Sequence, residues 1–188
     1  FKEVDLTIPS SPKISKGVNI PGILKDVVGN TLYTEEAAYR DDNFETAINK
    51  LERVGDLAEL KARKRFSDRY VTAFVTDKSG NALVLHAPNS YYRVDDIAVD
   101  SVSDTPAENI SNSSILTILD MNDDMTVLSE TPIDVYADLK TVKNNKALFS
   151  ISGGILVINL DDLTKPVAQA YFPMIGWPYN TFVYQNTV

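Results

Sequence analysis

Short apolar runs alternate with polar turns along this chain, and the same order recurs. Gly153-Gly154 leads into Ile155-Leu156-Val157-Ile158, then a turn through Asp161-Asp162-Leu163-Thr164-Lys165-Pro166, then a second run closing at Phe172-Pro173. Val4-Asp5-Leu6-Thr7-Ile8, followed by Pro9, Pro12 and Ile14 and closing at Ile20-Pro21-Gly22, says nearly the same thing. A third copy is Ile115-Leu116-Thr117-Ile118-Leu119-Asp120, Met125-Thr126-Val127-Leu128 and Thr131-Pro132-Ile133. Runs of this length bounded by Gly, Pro, Asn and Asp predict strands joined by tight turns.

A second pattern interleaves with the first. Ile23 to Val28, Gly29-Asn30 and Thr31 to Tyr33 form a strand, a turn and a strand. Tyr70 to Val75 with Ala82 to Leu85 across Asp77-Lys78-Ser79-Gly80-Asn81 form another, and Leu139 to Ser150 across Asn144-Asn145 a third. Phe182 to Val188 begins a fourth. Gly-Asn and Asn-Asn accept the left-handed backbone that short hairpin turns require.

Four short antiparallel strands recurring as a unit describe a β-propeller blade, and such a unit cannot bury its apolar face alone. The expected fold is therefore all-β, in one domain, with about four blades' worth of chain. A half-blade covers 1–21, blades cover 22–66, 67–133 and 134–175, and a half-blade begins at 176–188. Incomplete units at both ends lead to the expectation of a piece of a larger propeller, of about six to eight blades. Glu45 to Phe66 competes with this scheme, because Leu51, Val54, Leu57 and Leu60 recur at helical spacing. Yet Lys50 to Leu60 aligns without gaps with Ile118 to Leu128, placing Gly55-Asp56 at a hairpin turn. A hairpin is predicted there, since strand context overrides local propensity.

Charge and composition narrow the function classes. A net charge of −8 argues against a nucleic-acid footprint and against anionic membranes, and no apolar stretch is long enough for a membrane-spanning helix. The basic run Lys61-Ala62-Arg63-Lys64-Arg65 reads as a solvated edge. Absence of cysteine excludes disulfides and thiolate metal sites. Residues 88–114 form an acidic, Ser/Asn-rich insertion carrying Asp95, Asp96, Asp100, Asp104 and Glu108, expected as an excursion on one face. Asn109-Ile110-Ser111 and Asn112-Ser113-Ser114 in it are formal glycosylation sequons.

Gly153, Gly154, Leu156, Val157, Ile158, Asp161, Asp162 and Pro166 resemble the LVIVD repeat of exported bacterial and archaeal β-propellers, with Asp5, Pro9 and Pro12 echoing it. The chain is also similar to the wider group of WD40-like secreted propellers, without a Trp-Asp signature. The resemblance implies a secreted, periplasmic or cell-surface location and no common reaction.

Candidate chemistry is sparse. His86 is the single histidine and stands inside a strand, so the residues favour a structural role over a catalytic base. Asp120-x-Asn122-x-Asp124 has calcium-loop spacing but lacks the glycine and distal glutamate, and the residues favour turn capping over a calcium site. Tyr70, Tyr136, Trp177 and Tyr179 fall at blade entrances, around the expected channel mouth. There they either bind a protein or glycan ligand or wedge neighbouring blades. The expected function is a non-enzymatic interaction scaffold without a required cofactor. The competing class is a propeller hydrolase or lyase with Asp68, Asp134 and Asp138 at the channel mouth, with calcium as its metal.

Overall fold

The computed structural model describes residues 1–40, 43–77, 79–89, 113–175 and 178, and no helix occurs among them. Fourteen strands follow one another among the described residues. β1 (Val4–Asp5) and β2 (Lys13–Ile14) make a two-stranded sheet. β3 (Ile23–Val28), β4 (Thr31–Arg40), β5 (Asn43–Val54) and β6 (Leu57–Ser67) make the first four-stranded sheet. β7 (Arg69–Thr76), β8 (Asn81–Pro88), β9 (Ser114–Asp120) and β10 (Thr126–Ile133) make the middle one. β11 (Ala137–Lys143), β12 (Lys146–Ile151), β13 (Gly154–Asn159) and β14 (Val167–Pro173) make the last. Within each, consecutive strands pair antiparallel.

Turn chemistry sets these registers. Asn144 and Asn145 both hold positive φ, 50° and 55°, the signature of a type I′ hairpin turn. The helical spacing of Leu51 to Leu60 does not produce a helix. Gly55, at φ 63°, turns the chain between β5 and β6, and Val54 pairs with Leu57. The basic run lies on β6, an edge strand of its sheet. Lys61 pairs with Glu59 and Glu52, Arg63 with Glu36, and Arg65 with Glu45. Charges along an edge discourage pairing with a foreign strand.

One irregularity recurs in all three large sheets. The first strand of each carries an extra residue, Lys25 in β3, Thr72 in β7 and Lys140 in β11. So does the fourth strand of each: Lys61 in β6, Leu128 in β10 and Gln169 in β14. Bulges increase local twist, so all three sheets are bent at corresponding places.

The middle sheet is packed on both faces, which explains its sequence. Leu83, Leu85, Leu116, Ile118 and Ile133 meet Ala137, Ala147, Phe149 and Ile158 of the last sheet. Ala82, Val84, Val71 and Leu119 meet Tyr33, Ile48 and Phe66 of the first. Residues 82–87 are consequently all buried, an unbroken run where a half-exposed strand would alternate.

The two glycines that open the clearest repeat have separate tasks. Gly153 turns the chain at φ 86°. Gly154 allows close approach, since a Cβ there would lie 2.2 Å from the Phe172 carbonyl oxygen. Gly154→Ala must push β14 away from β13 and is expected to cost about 1–3 kcal/mol in urea unfolding. An unchanged midpoint would show that β14 gives way freely.

Candidate functional site

An antiparallel meander sends its connections alternately to two ends of the sheet. Connections between sheets (Asp68 and 134–136), the last residue of β8 and the first of β9 lie at one end, the connection end. Turns joining the first to the second strand and the third to the fourth, including 79–80 and 121–125, lie at the opposite, hairpin end. Tyr70 pairs with Ala87, whereas Asp120 pairs with Asn81, six positions away along β8. At ~3.3 Å per residue the aromatic and calcium candidates are separated by about 20 Å. They do not form one site.

At the connection end Tyr70 is half-buried on β7 and Tyr136 is exposed just before β11. Trp177 and Tyr179 lie outside the described residues, as do the insertion carboxylates Asp95, Asp96, Asp100, Asp104 and Glu108 and both sequon asparagines. Asp68 sits in left-handed backbone, φ 56°. Its N–H donates to the Phe44 carbonyl (2.8 Å) and its carbonyl accepts from the Asn89 N–H (3.0 Å). Asp134 is exposed, and Asp138 pairs with Lys140 at 2.5 Å. Among the described residues no three His, Asp or Glu side chains converge where they could hold a metal ion.

A buried polar cluster at this end surrounds His86, which is 3% exposed. Arg69 Nε donates to His86 Nδ1 (2.7 Å), and Arg69 Nη2 donates to the Ser113 carbonyl (2.9 Å). A guanidinium can only donate, so Nδ1 presents its lone pair and the ring proton is on Nε2. Nε2 then donates to Thr117 Oγ1 at 2.8 Å. Phe66 of the neighbouring sheet lies against the ring, centroids 4.5 Å apart. Burial, followed by the charges of Arg69 and Lys64, lowers the imidazole pKa from 6.5 to about 4. Both ring nitrogens are occupied, which suits a clasp between β7, β8 and β9 rather than a proton shuttle. Arg69 and Thr117 were not legible as its partners, because each is two residues diagonal to His86 across the ladder.

Turn capping organises the hairpin end. Asp120 Oδ1 accepts from the Asn122 N–H, and Asp123 Oδ2 accepts from Thr126 Oγ1. Asn122 Nδ2 points to the Ser79 and Gly80 carbonyls. The two Asp-Leu-Thr triplets, 5–7 and 162–164, share one geometry. Thr7 N–H and Oγ1 both donate to Asp5 Oδ1, and Thr164 N–H and Oγ1 both donate to Asp162 Oδ1. These bonds hold both carboxyl pKa values below the usual carboxylate range.

No family model, curated protein or solved structure matches the chain. The fold defines an all-β protein of successive four-stranded antiparallel sheets.

Proposed function

We propose that this protein is a non-enzymatic interaction scaffold of the β-propeller type, exported or displayed at the cell surface, whose connection end takes a protein or glycan ligand. The observation that carries the reading is the recurrence of one sheet design. Three consecutive meanders each have a bulge in the first and fourth strands, and the middle one is buried between its neighbours. Units that bury their faces only against each other are what a repeat array requires. The first strands also neighbour one another, β7 lying against β3 and β11, as blades around a common axis would have them. The export reading rests on the LVIVD-like residues Gly153 to Pro166 themselves. In such an array further blades continue from the terminal sheets.

Connections, not strands, vary most freely without disturbing the array, so the connection end is where recognition is placed. Of the two candidate aromatics among the described residues, Tyr136, 40% exposed beside Asp134, is more accessible than the half-buried Tyr70. Quantitative binding to a glycan array and to extracellular proteins of the source, repeated with Tyr136→Ala, tests this. A genuine ligand is expected to lose about tenfold or more in affinity while the melting temperature holds. Equal binding by both proteins removes Tyr136 from the site. An experimental structure whose first strands share no axis overturns the propeller architecture.

A further inference from the structure

A cavity of about 310 Å³ opens at the hairpin end, between the first and middle sheets. We infer that it is a binding site for one neutral sugar or a polyol of similar size. It lies at the other end of the sheets from Tyr70 and Tyr136, and so stands independently of the ligand site proposed above.

Its walls mix donors and acceptors. Lys50 Nζ donates to the Met121 carbonyl, leaving two N–H groups, and among the described ion pairs none involves Lys50. Asp77 Oδ1 accepts from the Ser79 and Asn81 N–H groups, and Oδ2 accepts from Asn81 Nδ2, which leaves Oδ2 a lone pair. The amide side chains of Asn81 and Asn122 stand alongside, and Tyr33 and Met121 supply apolar surface.

This combination selects among ligand classes. An apolar guest would cut off from water the spare N–H groups of Lys50 and the spare lone pair of Asp77 without replacing them, which is costly in a concave site. An anion would gain Lys50 but face Asp77 and, behind Thr76, Asp26. A cation meets the reverse conflict. Sugar hydroxyls both donate and accept, so neighbouring ones can accept a hydrogen bond from Lys50 and donate one to Asp77, while the C–H face rests on apolar surface. The volume sits at the small end of the range for ligand pockets, about 300–1,000 Å³, suiting one ring rather than a chain. About 12 non-hydrogen atoms at ordinary ligand efficiency correspond to a Kd near 1 mM.

Saturation-transfer NMR on the full chain tests this with glucose, galactose, mannose, N-acetylglucosamine and inositol, with glucuronate and glucosamine as charged probes. At least one neutral compound is expected to bind in the millimolar range. Lys50→Met and Asn122→Ala should each weaken it by about tenfold, and Tyr136→Ala should not. Asn122 is exposed, so its variant remains informative should Lys50→Met fail to fold. Absence of binding by every neutral probe overturns the inference. So does tighter binding of either charged probe, or undiminished binding by Asn122→Ala.

Discussion

Phe149→Ala is expected to lower the melting temperature by about 10 °C, because it empties the centre of the seam between the middle and last sheets. Phe149 is 0% exposed and lies in the cluster that joins β12 and β13 to β8 and β9 of the middle sheet. Its neighbours Leu83, Leu85, Leu116, Ile118 and Ile158 are themselves fully or almost fully buried. Such a close-packed interface cannot collapse around the missing ring. Lost transfer energy and the cavity left behind together cost about 3–5 kcal/mol. At this chain length each kcal/mol moves the transition by about 2–4 °C. Phe172→Ala on the edge strand β14, 54% exposed, is the control and should cost under about 1 kcal/mol. Amide exchange should accelerate first in β11 to β14, whose main attachment to the rest is this seam. Comparable melting of the two variants would mean that face-to-face docking of the sheets is not what holds the last one in place.

The same seam shows why some of the fold could be read from the sequence and some could not. Hairpin turns were legible because Gly29-Asn30, Gly55-Asp56 and Asn144-Asn145 carry their backbone requirement in their residue types. Position within the repeat also decided against a helix at 45–66, where the spacing of leucines alone misleads. In the observed sheet Leu51 is buried on the inner strand β5, while its cross-strand partner Leu60 and Leu57 are exposed on the edge strand β6, so that spacing marks no common buried stripe. Bulges were not legible: Lys25, Thr72 and Lys140 are polar residues that any exposed strand position accepts, and what they have in common is a place in a ladder. The N-terminal copy promised strands like the others, yet β1 and β2 are two residues each, with Leu6, Ile8 and Ile14 exposed. Its Asp5-Leu6-Thr7 turn nevertheless reproduces that of Asp162-Leu163-Thr164, because the turn needs only local bonds and no packing partner. Site residues were the least legible. The Arg69–His86–Thr117 clasp and the Lys50–Asp77 cavity both unite positions far apart in sequence, and neither leaves a motif.

Stability should fall by about 3 kcal/mol as pH drops from 6.5 to 4, and His86 should be responsible. The unfolded chain protonates this imidazole near 6.5, whereas the folded protein resists until about 4. Between those values the unfolded state binds more protons, so stability rises with pH; in the acid direction it is lost, and below 4 the loss levels off. The charges facing the ring set this window: Arg69 on β7 and Lys64 on β6 oppose protonation, and Glu130 on β10 acts only through Arg69. The depressed carboxyls Asp5, Asp161 and Asp162 act in a different window. Their contribution is present above their ordinary value of 3.8 and is lost below it, as pH falls through their lower folded values. His86→Gln separates the two. A glutamine amide can accept from Arg69 and donate to Thr117 but takes up no proton in this range. The variant should therefore show a flat profile between pH 6.5 and 4 and the same decline as the parent below that. With one histidine in the chain, its ring resonances need no assignment and should stay unshifted down to about pH 5. Titration of those resonances near 6.5, or parallel stability profiles for the two proteins, would mean that the Arg69 bond does not hold the ring neutral.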